Sequence, residues 1–175
     1  MNEKAFNCRC SGFVFGWLCN TGGAVIEPMT SYQRIVDVPN VKQDMIYEGS
    51  RQWVAKNFRS ANSVIQYQDK ATGSVIGKGN MSYPCSFLRC SSGSTPVLQF
   101  TFQVDSKDNR ARVSFSDLTI HTPASVSPIT GIRSAEMNEK VIKENDKMQT
   151  KEILDKVIDD LAQDIASPSV GSKDW

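Results

Sequence analysis

The sequence predicts an α+β protein, in which two helices cover one face of an antiparallel sheet of about five strands, in the chain order β-α-β-β-β-β-α. Two observations predict this class. Several short stretches alternate apolar and polar residues, which is typical of strands with one buried face. Two longer stretches repeat apolar residues at helical spacing, and a sheet with one hydrophobic face needs such helices to cover it.

Length and composition indicate one domain with tails. The chain has 175 residues, of which 39% are hydrophobic and 22% charged. We predict a leader and linker over residues 1–30, a single domain over 31–166 and a mobile tail over 167–175. The net charge of +1 creates no long-range attraction for nucleic acid or anionic lipid. The longest apolar run, residues 12–18, is shorter than the about 20 residues of a transmembrane helix, so we expect no transmembrane span.

The first strand and helix are predicted from a turn signal between them. β-branched and aromatic residues fill positions 31–38, which predicts a strand that ends before a proline. Asn40 and Gln43 have the spacing of a capping box, so a helix is expected from there to about Phe58. Gly49 lies on the apolar side of this helix and leaves room for a close approach to the sheet.

The glycine-rich stretch SVIQYQDKATGSVIGKGN, residues 63–80, raises the question of a phosphate-binding loop. Such a loop needs the spacing G-x4-G-K-[ST] between a strand and a helix. Here a third glycine, Gly79, follows the lysine and no helix pattern begins. Ile65 and Tyr67 alternate with glutamines, and Gly73 suits a turn that requires positive φ. The sequence therefore predicts a β-hairpin.

The strongest strand signal is VLQFTFQV, residues 97–104, in which every second side chain is apolar. After a short turn the alternation resumes over residues 111–115, and then its parity shifts to Leu118. A parity shift within one strand indicates an extra residue on that strand. We predict a β-bulge near Ser116 and Asp117.

The last part of the chain is predicted to be a crossing loop over residues 122–135, followed by a helix from about Glu136 to Ala166. Asn145 and Asp146 interrupt the apolar stripe, so the helix is expected to break there, and Pro168 ends it. Three oppositely charged pairs lie four residues apart along the predicted helix: Glu136 with Lys140, Glu139 with Lys143, and Glu152 with Lys156.

Five cysteines fall into two groups, Cys8, Cys10 and Cys19 near the start and Cys85 with Cys90 in mid-chain. Cys85 and Cys90 could form a disulfide in an oxidising compartment, or both could be buried free thiols. The spacings lack the paired C-x2-4-C knuckles of structural zinc sites. We therefore predict no metal site.

The first twenty residues resemble part of an export signal. Lys4 and Arg9 are positive, the apolar run 12–18 follows, and Cys19 is a candidate lipidation site. Trp17 stands where a lipoprotein signal would have a small residue. A mobile leader, or a start that differs from the natural one, remain alternatives.

No arrangement of residues predicts catalysis. His121 is the single histidine, and in an extended strand it would lie about 13 Å from Asp117. That distance is too long for the two side chains to act together. We predict no catalytic residue and no cofactor.

The two faces of the predicted sheet differ in chemistry. The aromatic residues that could stack on nucleic-acid bases are assigned to the covered face: Trp53, Tyr67, Phe100, Phe102 and Phe115. The opposite face is polar, and its candidate binding residues are Gln66, Gln68, Gln99, Gln103 and Arg112. This face suits solvent or a polar partner.

Two stretches of the sequence together carry a family resemblance. The first is SYQRIVDVPNVKQDMIYEGSRQWVAKNF, with Trp53 and Phe58, and the second is the hairpin that follows it, with Ile65, Asp69, Gly73, Val75, Gly77 and Gly79. On these positions, residues 31–120 resemble a bacterial family of unknown function with a TATA-binding-protein-like fold. The family often has glycine where this chain has Pro39 and Asn40, which affects the turn between strand and helix.

The resemblance implies an exported or envelope-associated protein, often with a signal or lipid anchor, and no established activity. It brings no catalytic residues. We therefore expect a non-catalytic module in the periplasm or cell envelope whose polar sheet face or edge binds a protein or a cell-surface component. An enzyme with an unrecognised site and a nucleic-acid-binding protein are the alternatives.

Overall fold

A six-stranded antiparallel sheet forms one layer of the protein, and two helices form the other. The computed structural model describes residues 26–58, 65–84, 94–127 and 130–166. The elements are β1 (Ser31–Asp37), α1 (Gln43–Asn57), β2 (Ile65–Asp69), β3 (Ser74–Ser82), β4 (Val97–Lys107), β5 (Arg110–Thr122), β6 (Ser125–Val126), β7 (Arg133–Ser134), β8 (Met137–Lys140) and α2 (Glu144–Ala166). The strand order is β1-β5-β4-β3-β2, and β8 also pairs with β5. The predicted fold class is confirmed, and the predicted crossing loop contains the short β6–β7 pair.

The core lies between the helices and one face of the sheet, which we call the covered face. Its residues are Val75, Leu98, Phe100, Phe102, Val104, Val113 and Phe115, all buried. Phe58, which follows α1, stacks on Phe102 with ring centroids 5.7 Å apart. Gly79 makes room for these rings, because a Cβ there would lie 2.8 Å from both Phe58 and Phe100. Aromatic packing therefore fixes α1 on the sheet.

The hairpin predicted for the glycine-rich stretch is confirmed as β2–β3. Gly73 has φ +71 in its turn, where a side chain is disfavoured. A Cβ on Gly73 would also lie 2.6 Å from the Gln43 amide nitrogen and 2.9 Å from the Ser106 carbonyl oxygen. Since β3 follows the turn and no helix begins there, the stretch lacks the geometry of a phosphate loop.

The predicted start of α1 is wrong in its capping residue. Asn40 has φ +64 and lies before the helix, which begins at Gln43. The Asp108 carboxylate accepts a hydrogen bond from the Gln43 backbone N–H at 2.8 Å, and the Asn109 side chain accepts one from the Asn40 N–H at 2.9 Å. The β4–β5 turn therefore caps α1 across the fold, a contact that local spacing does not encode.

The prediction that Gly49 allows a close approach to the sheet is wrong in its packing partner. A Cβ on Gly49 would lie 3.3 Å from Cγ1 of Ile165 in α2. The glycine therefore faces the other helix and lets the two helices pack closely.

The predicted helix from Glu136 is wrong over its first eight residues. Residues 137–140 form β8, which pairs with residues 119–122 of β5. β1 stops pairing with β5 at Ser116, so the end of β5 has a free edge that β8 fills. The charged pairs Glu136–Lys140 and Glu139–Lys143 therefore do not lie on a helix. Glu152 and Lys156 in α2 do form an ion pair, at 2.9 Å.

The predicted β-bulge is confirmed. The β4–β5 register shifts between Gln99 and Thr101, and Asp117 has φ +55. The Thr101 hydroxyl donates a hydrogen bond to the Asp117 carboxylate at 2.9 Å. The bulge separates the segment of β5 that pairs with β1 from the segment that pairs with β8. At this junction the Met29 N–H donates to the Val141 carbonyl at 2.8 Å.

Some sequence predictions lie outside the described residues. These are the leader up to residue 25, the possible disulfide between Cys85 and Cys90, and the tail over 167–175. The limits of the domain also stay predictions. Within the described ranges, no helix is long and apolar enough to cross a membrane.

Candidate binding surface on the open sheet face

The two helices pack on the covered face only, and we call the opposite face of the sheet the open face. Strand alternation and register place the following residues on it: Gln33, Ile35, Asp37, Tyr67, Ser74, Ile76, Lys78, Asn80, Gln99, Thr101, Gln103, Asp105, Lys107, Arg110, Arg112, Ser114 and Ser116. Of the five candidate binding residues from the sequence, Gln99, Gln103 and Arg112 lie there.

The assignment of Gln68 to the polar face is wrong. The β2–β3 register shifts between Ile65 and Tyr67, so the residues after the shift change sides. Gln68 pairs in register with buried Val75, and its side-chain oxygen accepts a hydrogen bond from Arg51 of α1 at 2.8 Å. Gln66 is exposed within this irregular stretch.

The same shift overturns the core assignment of Tyr67. Tyr67 is 51% exposed, and it pairs in register with Ile76 of the open face. Its hydroxyl donates a hydrogen bond to Asp69 at 3.3 Å. The other four aromatic residues assigned to the core, Trp53, Phe100, Phe102 and Phe115, are buried.

Asp105 is the centre of the hydrogen bonding on the open face. One carboxylate oxygen accepts hydrogen bonds from the Ser74 hydroxyl at 2.7 Å and the Gln103 amide at 2.8 Å. The other oxygen accepts from Nε of Arg112 at 3.1 Å and from Nη2 at 2.7 Å. Three neighbouring strands therefore hold one carboxylate and one guanidinium in fixed positions.

The pKa of Asp105 reflects two opposing effects. Partial burial raises the pKa of its carboxyl group, while hydrogen bonds from Gln103, Ser74 and Arg112 lower it. The hydrogen bonds and the Arg112 charge prevail, so the pKa lies below its ordinary value. Asp105 is therefore ionised at neutral pH.

A depression lies beside this centre, near the β4–β5 turn. It has a volume of about 240 Å³ and is lined by Ile35, Asp105, Lys107, Arg110 and Arg112. Ile35 is 61% exposed. Among the residues that line the depression, three are cations and one is a carboxylate.

His121 has two polar neighbours that the sequence does not predict. Its Nδ1 lies 2.9 Å from the Asn138 side-chain oxygen and 3.6 Å from a carboxylate oxygen of Glu136. Asp117 instead binds Thr101. Asn138 lies in β8 and Glu136 directly precedes it, so the pairing of β8 with β5 brings both residues to His121. Among the described residues, no group of three His, Cys, Asp or Glu side chains could hold a metal ion.

A second polar cluster, also missed from the sequence, joins β1 to α2. Asp155 accepts hydrogen bonds from the Tyr32 hydroxyl at 2.8 Å and from Arg34 at 2.9 Å, and Arg34 also pairs with Asp159. Burial and the bond to Asp155 raise the pKa of Tyr32. The cluster fixes α2 across the outermost strand, so its role is structural.

Comparison with known proteins places the chain in a family. A crystal structure of a DUF4468 family protein from Bacteroides ovatus is 14% identical and superposes with a TM-score of 0.54 over 80% of this chain and 88% of that one. A TBP-like protein from Parabacteroides distasonis is 12% identical and superposes with a TM-score of 0.57 over 77% of this chain and 91% of that one. At these identities the likeness shows the fold alone.

No curated protein matches the sequence. The family described as a domain of unknown function (DUF4468) with TBP-like fold matches residues 32–121, which is about half of the chain. The match spans β1 to β5 and α1, except for Ser31 and Thr122 at its ends. The chain therefore belongs to the DUF4468 family of TBP-like domains, whose function is unknown.

Proposed function

We propose that this protein is a non-catalytic binding module of the bacterial cell envelope, and that its open face binds a partner protein. One observation carries the proposal: the two helices pack on one face of the sheet, while the other presents an ordered polar surface around Asp105. Holding polar groups in place before binding lowers the entropy cost of association. Ile35 adds exposed apolar area beside these groups.

The charges of the open face favour a protein over nucleic acid. Four cations lie on or beside it, Lys78, Lys107, Arg110 and Arg112, and four carboxylates offset them, Asp37, Asp69, Asp105 and Asp117. Binding to a phosphate backbone depends on a positively charged protein surface, which displaces the counterions condensed on the nucleic acid. A mixed surface instead suits the polar and apolar groups of a protein.

The envelope location is supported by the leader. Lys4 and Arg9 precede the apolar run 12–18, and Cys19 follows it. The intact mass of the protein from fractionated native cells tests this location. We expect a membrane-fraction species with the leader shortened, whereas a full-length species in the soluble fraction would contradict the proposal.

Site-specific photo-crosslinking in native cells tests the binding face. A photo-crosslinking amino acid replaces Gln99 on the open face in one variant, and Met148 in the control. Met148 is 69% exposed and lies on α2, which packs on the covered face, the side opposite the open face. We expect a discrete protein adduct from position 99 and none from position 148. Equal adducts from both positions, or an adduct from position 148 alone, would refute the proposed face.

A further inference from the structure

Two cations in the depression have no partner among the described residues. Lys107 and Arg110 face each other as the last pair of the β4–β5 ladder and lie on the open face. Neither forms an ion pair or a side-chain hydrogen bond within the ranges that the structure describes. We call the depression lined by Ile35, Asp105, Lys107, Arg110 and Arg112 the basic notch.

The carboxylate inside the basic notch does not neutralise these two cations. Asp105 already accepts four hydrogen bonds, two from Arg112 and one each from Ser74 and Gln103. A carboxylate has about four lone-pair sites, so its acceptor capacity is filled. Asp37 lies opposite Arg110 in the β1–β5 register but forms no ion pair with it. The two cations are therefore available to an outside anion.

Ile35 supplies the second half of the recognition chemistry. It lies in the same cross-strand row as Arg112 and Asp105, and the residue is largely exposed. The notch has a volume of about 240 Å³. That space accommodates an aliphatic side chain next to a carboxylate, a combination that phosphate backbones do not offer.

We propose that the basic notch binds an acidic segment of a partner protein, with a carboxylate on Lys107 and Arg110 and a neighbouring aliphatic side chain on Ile35. This inference rests on the proposed function, because it assigns the partner chemistry of the same open face. Charge complementarity selects the acidic segment, and the guanidinium of Arg110 can bind a carboxylate through two hydrogen bonds. Arg112 stays paired with Asp105 and lines one side of the basic notch.

The test is a titration of the full chain, followed by NMR, with two capped hexapeptides. One peptide carries two glutamates between leucines, and the matched peptide carries two glutamines. We expect the glutamate peptide to shift amide resonances around the basic notch and to bind about fivefold or more tightly than the glutamine peptide. Equal affinities of the two peptides, or shifts confined to other surfaces, would overturn the inference.

Substitutions test whether the cations of the basic notch cause the preference for the glutamate peptide. In Lys107→Gln with Arg110→Gln, the preference for the glutamate peptide should disappear, while the matched control Lys78→Gln should retain it. Lys78 is an exposed cation of the open face outside the notch. A retained preference in the double variant would overturn the inference. Tighter binding of a short single-stranded oligonucleotide than of the glutamate peptide would overturn it in favour of nucleic acid.

The two proposals fail separately. If the position-99 adduct forms in cells but persists unchanged in the Lys107→Gln, Arg110→Gln variant, the open face binds a protein and the notch assignment is wrong. If no adduct forms from position 99, the proposed function itself is wrong.

Discussion

The two faces of β4 differ in what their side chains do, although the residues alternate along one strand. Leu98, Phe100, Phe102 and Val104 are buried under the helices, and each contacts apolar neighbours. Gln99, Gln103 and Asp105 lie on the other side, where two of them bond to each other. One face therefore maintains the fold, while the other is free to specialise for binding.

The difference between the two faces predicts which substitutions change the stability of the fold. Burial on the covered face makes volume critical, since interiors are close-packed. Replacing a polar side chain on the open face should change the free energy of unfolding little, because water can form hydrogen bonds with the polar groups that lose their partner. Adjacent residues of β4 should consequently differ strongly in their contribution to stability.

The largest effect is expected for Phe102→Ala. Phe102 is 2% exposed and stacks on Phe58, so its truncation removes a buried ring and leaves a cavity. We expect the free energy of unfolding, measured by urea denaturation, to fall by about 3–5 kcal/mol. Its neighbour provides the control: Gln103→Ala should cost about 1 kcal/mol or less. Similar losses for both variants would remove the distinction between the faces.

A smaller, pH-dependent effect is expected for Asp105→Asn. The pKa of Asp105 is lowered in the folded protein, so its charged form stabilises the fold above the unfolded pKa of about 4. That stabilisation is lost as the pH falls through the folded pKa. We expect wild type to exceed the variant by up to about 1 kcal/mol at pH 7, because the pair with Arg112 is partly exposed.

The pH profile of urea denaturation checks this prediction. The difference between wild type and Asp105→Asn should shrink as the pH falls below about 4. The control Asp37→Asn removes a carboxylate of the same face that has no hydrogen bond in the described structure, and it should change stability little. A difference that is constant from pH 7 to pH 3 would show that the Asp105 charge does not act through its hydrogen bonds.

Local pattern was sufficient to predict the central elements. The alternation over residues 97–104 and the parity shift at Ser116 and Asp117 predicted β4, β5 and the bulge, because burial of one face sets a period of two. The polar character of Gln99 and Gln103 likewise indicated the open face. Each of these features depends on neighbours along the chain.

The misses depend on contacts between distant segments. Residues 136–143 carry charged pairs at helical spacing, but residues 137–140 pair with the free edge of β5. The register shift between Ile65 and Tyr67 in β2 places Gln68 toward α1 and Tyr67 on the open face, and the residue types in this stretch do not indicate the shift. The four hydrogen bonds to Asp105 come from three strands, so the notch emerges only from their register. Tertiary pairing decided each case over local preference.

The most direct measurement compares fold and binding in two matched double variants. Gln33→Glu with Gln99→Glu changes exposed residues of the open face, and Gln52→Glu with Gln163→Glu makes the same change on exposed helix residues. Each variant is assayed for its free energy of unfolding and for co-purification of the partner identified by crosslinking at position 99. We expect both variants to unfold within about 1 kcal/mol of wild type, and only the open-face variant to lose the partner. Retention of the partner by the open-face variant, or its loss from the helix variant, would contradict the account.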